Sequence, residues 1–239
     1  MGFEVVLACM RSAAAWLADL DGRQRSRPAV LNSASQPPAG RFRQQSHLRS
    51  FDPGRVADLE YRAWVGYYLR NWPQVLAALV GLVRTAFGMN WYRTLQGAWL
   101  LLRASQLWAP APDNDPDGAQ ACMRRFYALI RLSYGEPASP AKAAALEVDW
   151  WRVHRQARYP SAPRGSGDEL VESVTGLYCY LYGEPEAHIR PAAIHRVLAM
   201  DLSDRWVAEG CLPGSPLLAQ EHAALVQCYT ALLAAVQRR

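Results

Sequence analysis

Proline recurs in this chain in one repeated device. In Asp115-Pro116, Ser139-Pro140 and Ser215-Pro216 a short side chain that can accept from an opening helical turn stands before a ring that fits only that turn. Asn71-Trp72-Pro73 places the same break between two apolar stretches, because proline is tolerated at a helix start and not in its interior. Four such signals divide the sequence into helix-length pieces, and a chain punctuated in this way has little room for a sheet.

Between the breaks the periodicity is helical. A first helix is expected over about 54–70 and a second over about 73–88, with Asn90 capping a third that runs to about 108. The loop APAPDNDPDG leads into a fourth that Gly135 stops, and Ser139-Pro140 opens a fifth to about 158. Asp168 opens a sixth that Gly183 closes. Pro191 suits the first turn of a seventh that ends at Gly210, and Ser215-Pro216 starts the last. LYCYLY alternates as a strand would, but Leu170, Val174, Leu177 and Leu181 hold helical spacing across it. The expected fold is all-α: a single bundle-like domain of about seven or eight helices over residues 51–239. Residues 1–50 form an Arg/Ser/Pro-rich, flexible N-terminal arm, with at most one short amphipathic helix over 3–20 and disorder beyond it. No internal repeat has a fixed period.

Charge narrows the partners. Residues 1–50 hold seven arginines against Glu4, Asp19 and Asp21, whereas residues 51–239 carry 19 basic and 18 acidic groups. The helical part is therefore near neutral, which argues against a nucleic-acid partner; the arm alone is basic enough to touch nucleic acid or anionic lipid. The longest uncharged run, NWPQVLAALVGLV, ends at Arg84 after 13 residues, short of the roughly 20 that a transmembrane segment needs. Glu4 precedes the first apolar run and no basic leader stands before it, so no secretory signal is expected. Five widely spaced cysteines (Cys9, Cys122, Cys179, Cys211, Cys228) contain no CxxC pair, and read as reduced thiols in a cytoplasmic protein.

Chemistry-bearing residues sit singly among aromatics. On the fifth helix Leu146, Trp150, Val153 and Ala157 form a core stripe, and Glu147, Trp151, His154 and Arg158 a neighbouring one. Glu147 and His154 are seven residues apart, about 10 Å along the axis, so they cannot both grip one ion. On the first helix Glu60 shares a stripe with Val56, Trp64 and Tyr67, while Asp58 can pair with Arg62 at i+4. A carboxylate buried on that face must be protonated, paired or metal-bound; pairing with an arginine at the bundle rim is the simplest outcome. On the seventh helix His195, Ala199, Leu202 and Trp206 share a face, and Asp201, Arg205 and Glu209 form a ladder.

Enzyme motifs are scarce. Asp201 and Asp204 give a DxxD spacing able to hold Mg²⁺, but no second acidic motif accompanies it. Glu60, Glu147, His154, Glu172 and His195 supply the residue types of a dinuclear-iron bundle, yet Glu-x-x-His occurs nowhere. GxGxxG, Walker-type, GxSxG and HExxH patterns are absent. Neither a cofactor nor a catalytic residue can be named.

The segments LEVDWWRVHR, AMDLSDRWVAEGC and GSPLLAQEHAALVQCYTALLAAV resemble a family of actinobacterial all-helical proteins, over roughly residues 51–236. One lysine against 25 arginines, with abundant alanine, agrees with a GC-rich coding genome. The resemblance implies no activity, ligand or site.

Three functions remain open. The leading expectation is a small-molecule ligand in an aromatic and polar pocket lined by Glu60, Trp64, Tyr67, Glu147, Trp151, His154, His195 and Asp201. A protein-interaction or homo-oligomeric adaptor is the second, and a metal-dependent, di-iron-like helical enzyme the third.

Overall fold

A computed structural model describes residues 47–158 and 167–238, and the helix expected over residues 3–20 lies outside them. Eight α-helices follow one another among the described residues: α1 (Pro53–Tyr68), α2 (Trp72–Phe87), α3 (Trp91–Trp108), α4 (Pro116–Tyr134), α5 (Pro140–Ala157), α6 (Gly167–Tyr182), α7 (Glu186–Ala208) and α8 (Pro216–Val236). No strand occurs among the described residues, and none of these helices is long and apolar enough to cross a membrane. The protein is all-α.

The punctuation acts as caps. Asn71 accepts from the Gln74 amide at 3.3 Å, Asn90 from Arg93 at 2.9 Å, Asp115 from Gly118 at 2.8 Å and Ser139 from Lys142 at 3.3 Å. Each satisfies one of the amide donors that an opening turn leaves without an intrahelical partner. At the other end of α2, Gly88 takes the left-handed conformation (φ 56°), and its amide bonds to the Arg84 carbonyl.

One boundary differs from the expected one. Pro191 lies inside α7, which begins five residues earlier behind Pro185. The Pro185 carbonyl accepts from the His188 and Ile189 amides, and Ile189, Ala192 and Ala193 are fully buried. Burying that face outweighs the one backbone bond that an interior proline forfeits near a helix start.

Each helix packs on its neighbours in sequence, and α8 packs back on α1, so the order of packing closes on itself. The core is divided. One cluster joins α2, α3 and α4 to Ala143, Ala144 and Val148 of α5; a second joins α6, α7 and α8 to Trp150 and Val153 of α5. A third, smaller cluster holds Ala57 of α1 with Trp206 of α7 and Leu225 of α8. Helices α1 and α5 contribute to both large clusters and form the seam between them.

A short 3₁₀ turn, His47–Arg49, packs onto this array. Leu48 is buried, Arg49 pairs with Glu136 at 3.0 Å and donates to the Tyr182 carbonyl at 2.7 Å. Gln237 in turn donates to the Arg49 carbonyl at 2.9 Å.

Candidate functional site

A cavity of about 240 Å³ opens at the seam, lined from α1, α2, α3, α5 and α7. Its walls carry Trp64, Tyr67, Tyr68, Trp108, Trp150 and Trp151, with Val75, Leu79 and Leu82 completing the apolar side. Spacings of three and four residues place Glu147, Trp150, Trp151, His154, Arg155 and Arg158 of the α5 region on it together.

Glu60 and Arg196 hold one part of this lining. Arg196 Nη2 and Nη1 reach the two carboxylate oxygens at 2.6 and 3.0 Å, and the Tyr229 hydroxyl of α8 donates to Oε2 of Glu60. The guanidinium is stacked as well as paired, 5.3 Å from the Trp64 ring centre and 5.5 Å from that of Trp150. Burial opposes the charge on Arg196, but the Glu60 carboxylate overcomes it and holds the guanidinium firmly protonated. Burial and then Glu60 push the Tyr229 hydroxyl well above its ordinary value, so it remains a donor.

Glu147 is the second carboxyl. Tyr127 of α4 donates to Oε2 at 2.6 Å and Trp151 Nε1 to Oε1 at 3.2 Å. Its pKa is raised because burial penalises the charge; the bond from Tyr127 and the field of Arg196 offset this only in part.

Asp204 of α7 organises the edge of the site. It meets His154 Nε2 at 2.9 Å and Arg158 Nε at 3.1 Å, and Tyr68 donates to it at 3.4 Å. On α5 the Arg155 guanidinium lies 4.2 Å from the Trp108 ring centre and donates through Nη2 to the Trp108 carbonyl at 2.5 Å. Its Nη1 is buried and finds no partner among the described residues.

Of the eight residues singled out from sequence, Glu60, Trp64, Tyr67, Glu147, Trp151 and His154 come together here, and His195 and Asp201 do not. On α7 the residues turned to the site are Arg196, Met200 and Asp204, at successive steps of four. His195 and Asp201 each stand one residue off that row, about 100° around the helix, half-buried and exposed respectively. The stripe His195-Ala199-Leu202-Trp206 belongs mainly to the small third cluster. Glu60 does pair with an arginine, but in the interior and not at a rim. Tyr127, Arg155 and Arg196 were not anticipated, and Asp204 only as half of a DxxD pair; the row of four-residue steps through Met200 was the signal that carried Arg196 and Asp204.

Among the described residues no three histidine, cysteine, aspartate or glutamate groups stand where they could hold one metal ion. The five residues considered for a di-iron site do not form one: at the cavity Glu60 is engaged by Arg196, Glu147 by Tyr127 and His154 by Asp204, while His195 stands off the lining and Glu172 is exposed.

Away from the cavity, Glu221 of α8 is 1% exposed and neither of its oxygens has a hydrogen-bond partner among the described residues. Burial raises its pKa to about 7; the nearby Ser203 hydroxyl opposes this, although no bond of ordinary length joins them, and the charges of Glu60 and Asp204 add to the rise.

No family model, no curated protein and no solved structure matches the chain.

Proposed function

We propose that the protein binds a small molecule in the cavity between α1, α3, α5 and α7. The observation that carries this is the fixed polar lining. Glu60, Glu147 and Asp204 are each held by protein partners, so the aromatic walls and polar groups are positioned before a ligand arrives, and binding costs less conformational freedom. A cytoplasmic setting and membership of the actinobacterial helical family that the sequence resembles complete the proposal; the scattered thiols and the excess of arginine over lysine support them.

Titration calorimetry on the full chain with naphthoate, naphthylmethanol and naphthylmethylamine tests it. At least one of these bicyclic probes binds, and Trp151→Ala weakens that binding by up to about tenfold, the worth of a well-placed aromatic pair. If none of the three binds, or if Trp151→Ala leaves binding intact, this function is wrong.

A second function, an interaction or oligomeric module, draws on a different surface. Trp91 and Leu95 of α3 are 61% and 55% exposed at i, i+4 spacing, and Leu132 on the adjoining α4 is 68% exposed. The stripes first considered for a partner do not serve it, since Glu60 is buried and Trp151 packs on Trp108 and Trp150 of its own chain. Sedimentation of wild type against Trp91→Ser/Leu95→Ser decides: a monomer in both cases removes self-association.

A further inference from the structure

The ion pairs of the cavity leave one cation over. Arg196 is neutralised by Glu60, and Arg158 by Asp204. Arg155 has no acid partner among the described residues. Its guanidinium is nevertheless held in place by Trp108. Its side chain lines the cavity, with the guanidinium over the Trp108 ring and Nη2 on the Trp108 carbonyl, while Nη1 is closed off from the open space and meets no acceptor among the described residues. A buried guanidinium donor without an acceptor is costly, and a planar one is suited to a carboxylate. Glu147 does not supply that acceptor: it lies eight residues earlier on the same helix, about 12 Å along the axis. It is already engaged by Tyr127 and Trp151, and burial favours its neutral form.

Volume sets the size of what enters. A dry cavity of about 150 Å³ holds a benzene ring, and drug-sized ligands need upward of about 300 Å³. At about 240 Å³ the space suits one or two fused rings with a short substituent.

We propose that the ligand is a small aromatic carboxylate of one or two rings, its ring system between Trp64 and Trp151 and its carboxylate paired with the Arg155 guanidinium. The proposal rests on the small-molecule function above and adds the chemical class. Arg155 is then the group that selects an acid over its neutral and cationic isosteres, while the tryptophans supply affinity without regard to charge.

The same three probes separate the two claims, because they share a ring system and differ in the charge of one substituent. Wild-type protein binds naphthoate about tenfold or more tightly than naphthylmethanol, with naphthylmethylamine the weakest. Arg155→Gln abolishes the preference by weakening naphthoate alone, and Arg155→Lys, which keeps the charge but not the planar fork, retains part of it. Wild-type affinities that are equal for acid and alcohol, or tighter for the amine, overturn the aromatic-acid assignment while leaving the binding function standing, and this comparison needs no variant to fold. Arg155→Gln weakening all three probes equally also overturns it, since the arginine would then only support the wall. If no probe binds, both claims fall.

Discussion

Glu60 and Arg196, 136 positions apart in sequence, meet through two hydrogen bonds at 2.6 and 3.0 Å in the interior. The pair ties α1 to α7 across the seam, and the Tyr229 hydroxyl brings α8 into the same contact. Desolvation makes such a pair costly to assemble, and far more costly to break, because the survivor is left charged and buried.

Removing one member is therefore the severe change. Glu60→Ala, which strands Arg196 between Trp64 and Trp150, is expected to cost about 3–5 kcal/mol. Glu60→Leu with Arg196→Met removes both charges together and recovers most of that loss. Urea unfolding midpoints of the single and double variants provide the check. A double variant no better than Glu60→Ala would show that the pair is not the reason for the loss.

The bond from Tyr127 to Glu147 has a second signature. Tyr127→Phe removes a donor to the carboxylate and should cost about 1–2 kcal/mol. It should also raise the Glu147 pKa further, because that bond favours the ionised form. The protonated-carboxyl stretch in infrared difference spectra, assigned with Glu147→Gln, should persist to higher pH in Tyr127→Phe than in wild type.

Glu221 makes stability depend on pH in a stated direction. Its folded pKa of about 7 lies above the ordinary 4.5, so the folded protein binds more protons than the unfolded chain between those values. Stability must fall as pH rises through that window and level off above it; the fall is about 3 kcal/mol at 1.4 kcal/mol for each tenfold change in proton affinity. Glu221→Gln removes this fall. It should stabilise the protein at about pH 8 and make little difference at about pH 5, as read from thermal midpoints. An unchanged slope would assign the pH dependence to another group.

Gly88 ends α2 with a positive φ, and a Cβ there would run into the His47 ring. Gly88→Ala should lose about 1 kcal/mol or more, from backbone strain and the clash together. In a His47→Ala background only the backbone share should remain, so the cost of the glycine change should shrink. Equal costs in both backgrounds would place the whole effect in the backbone.

The helices were legible because their boundaries depend on local chemistry. Asn71, Asn90, Asp115 and Ser139 bond to amides three residues away, which a sequence shows directly. The start of α7 was not legible, because it is set by the burial of Ile189 against other helices, a tertiary effect that overrode the proline. The site was partly legible for the same kind of reason. Glu60, Glu147 and His154 stood out as polar residues within aromatic stripes. Nothing in the sequence separates Arg196 or Arg155 from the other arginines of their helices; the first is marked by a partner far away in sequence and the second by Trp108 of another helix. Asp204 was noticed for its spacing from Asp201, whereas what holds it is His154 and Arg158.

The return of α8 to α1, with Gln237 bonded to the Arg49 carbonyl, brings the two ends of the helical array to hydrogen-bond distance. The order in which the eight helices are synthesised is therefore separable from the order in which they pack. A circular permutant that joins residue 238 to residue 47 by a short linker and opens in the exposed stretch 110–113 keeps every neighbouring helix pair and every wall of the cavity, and should refold to the same structure.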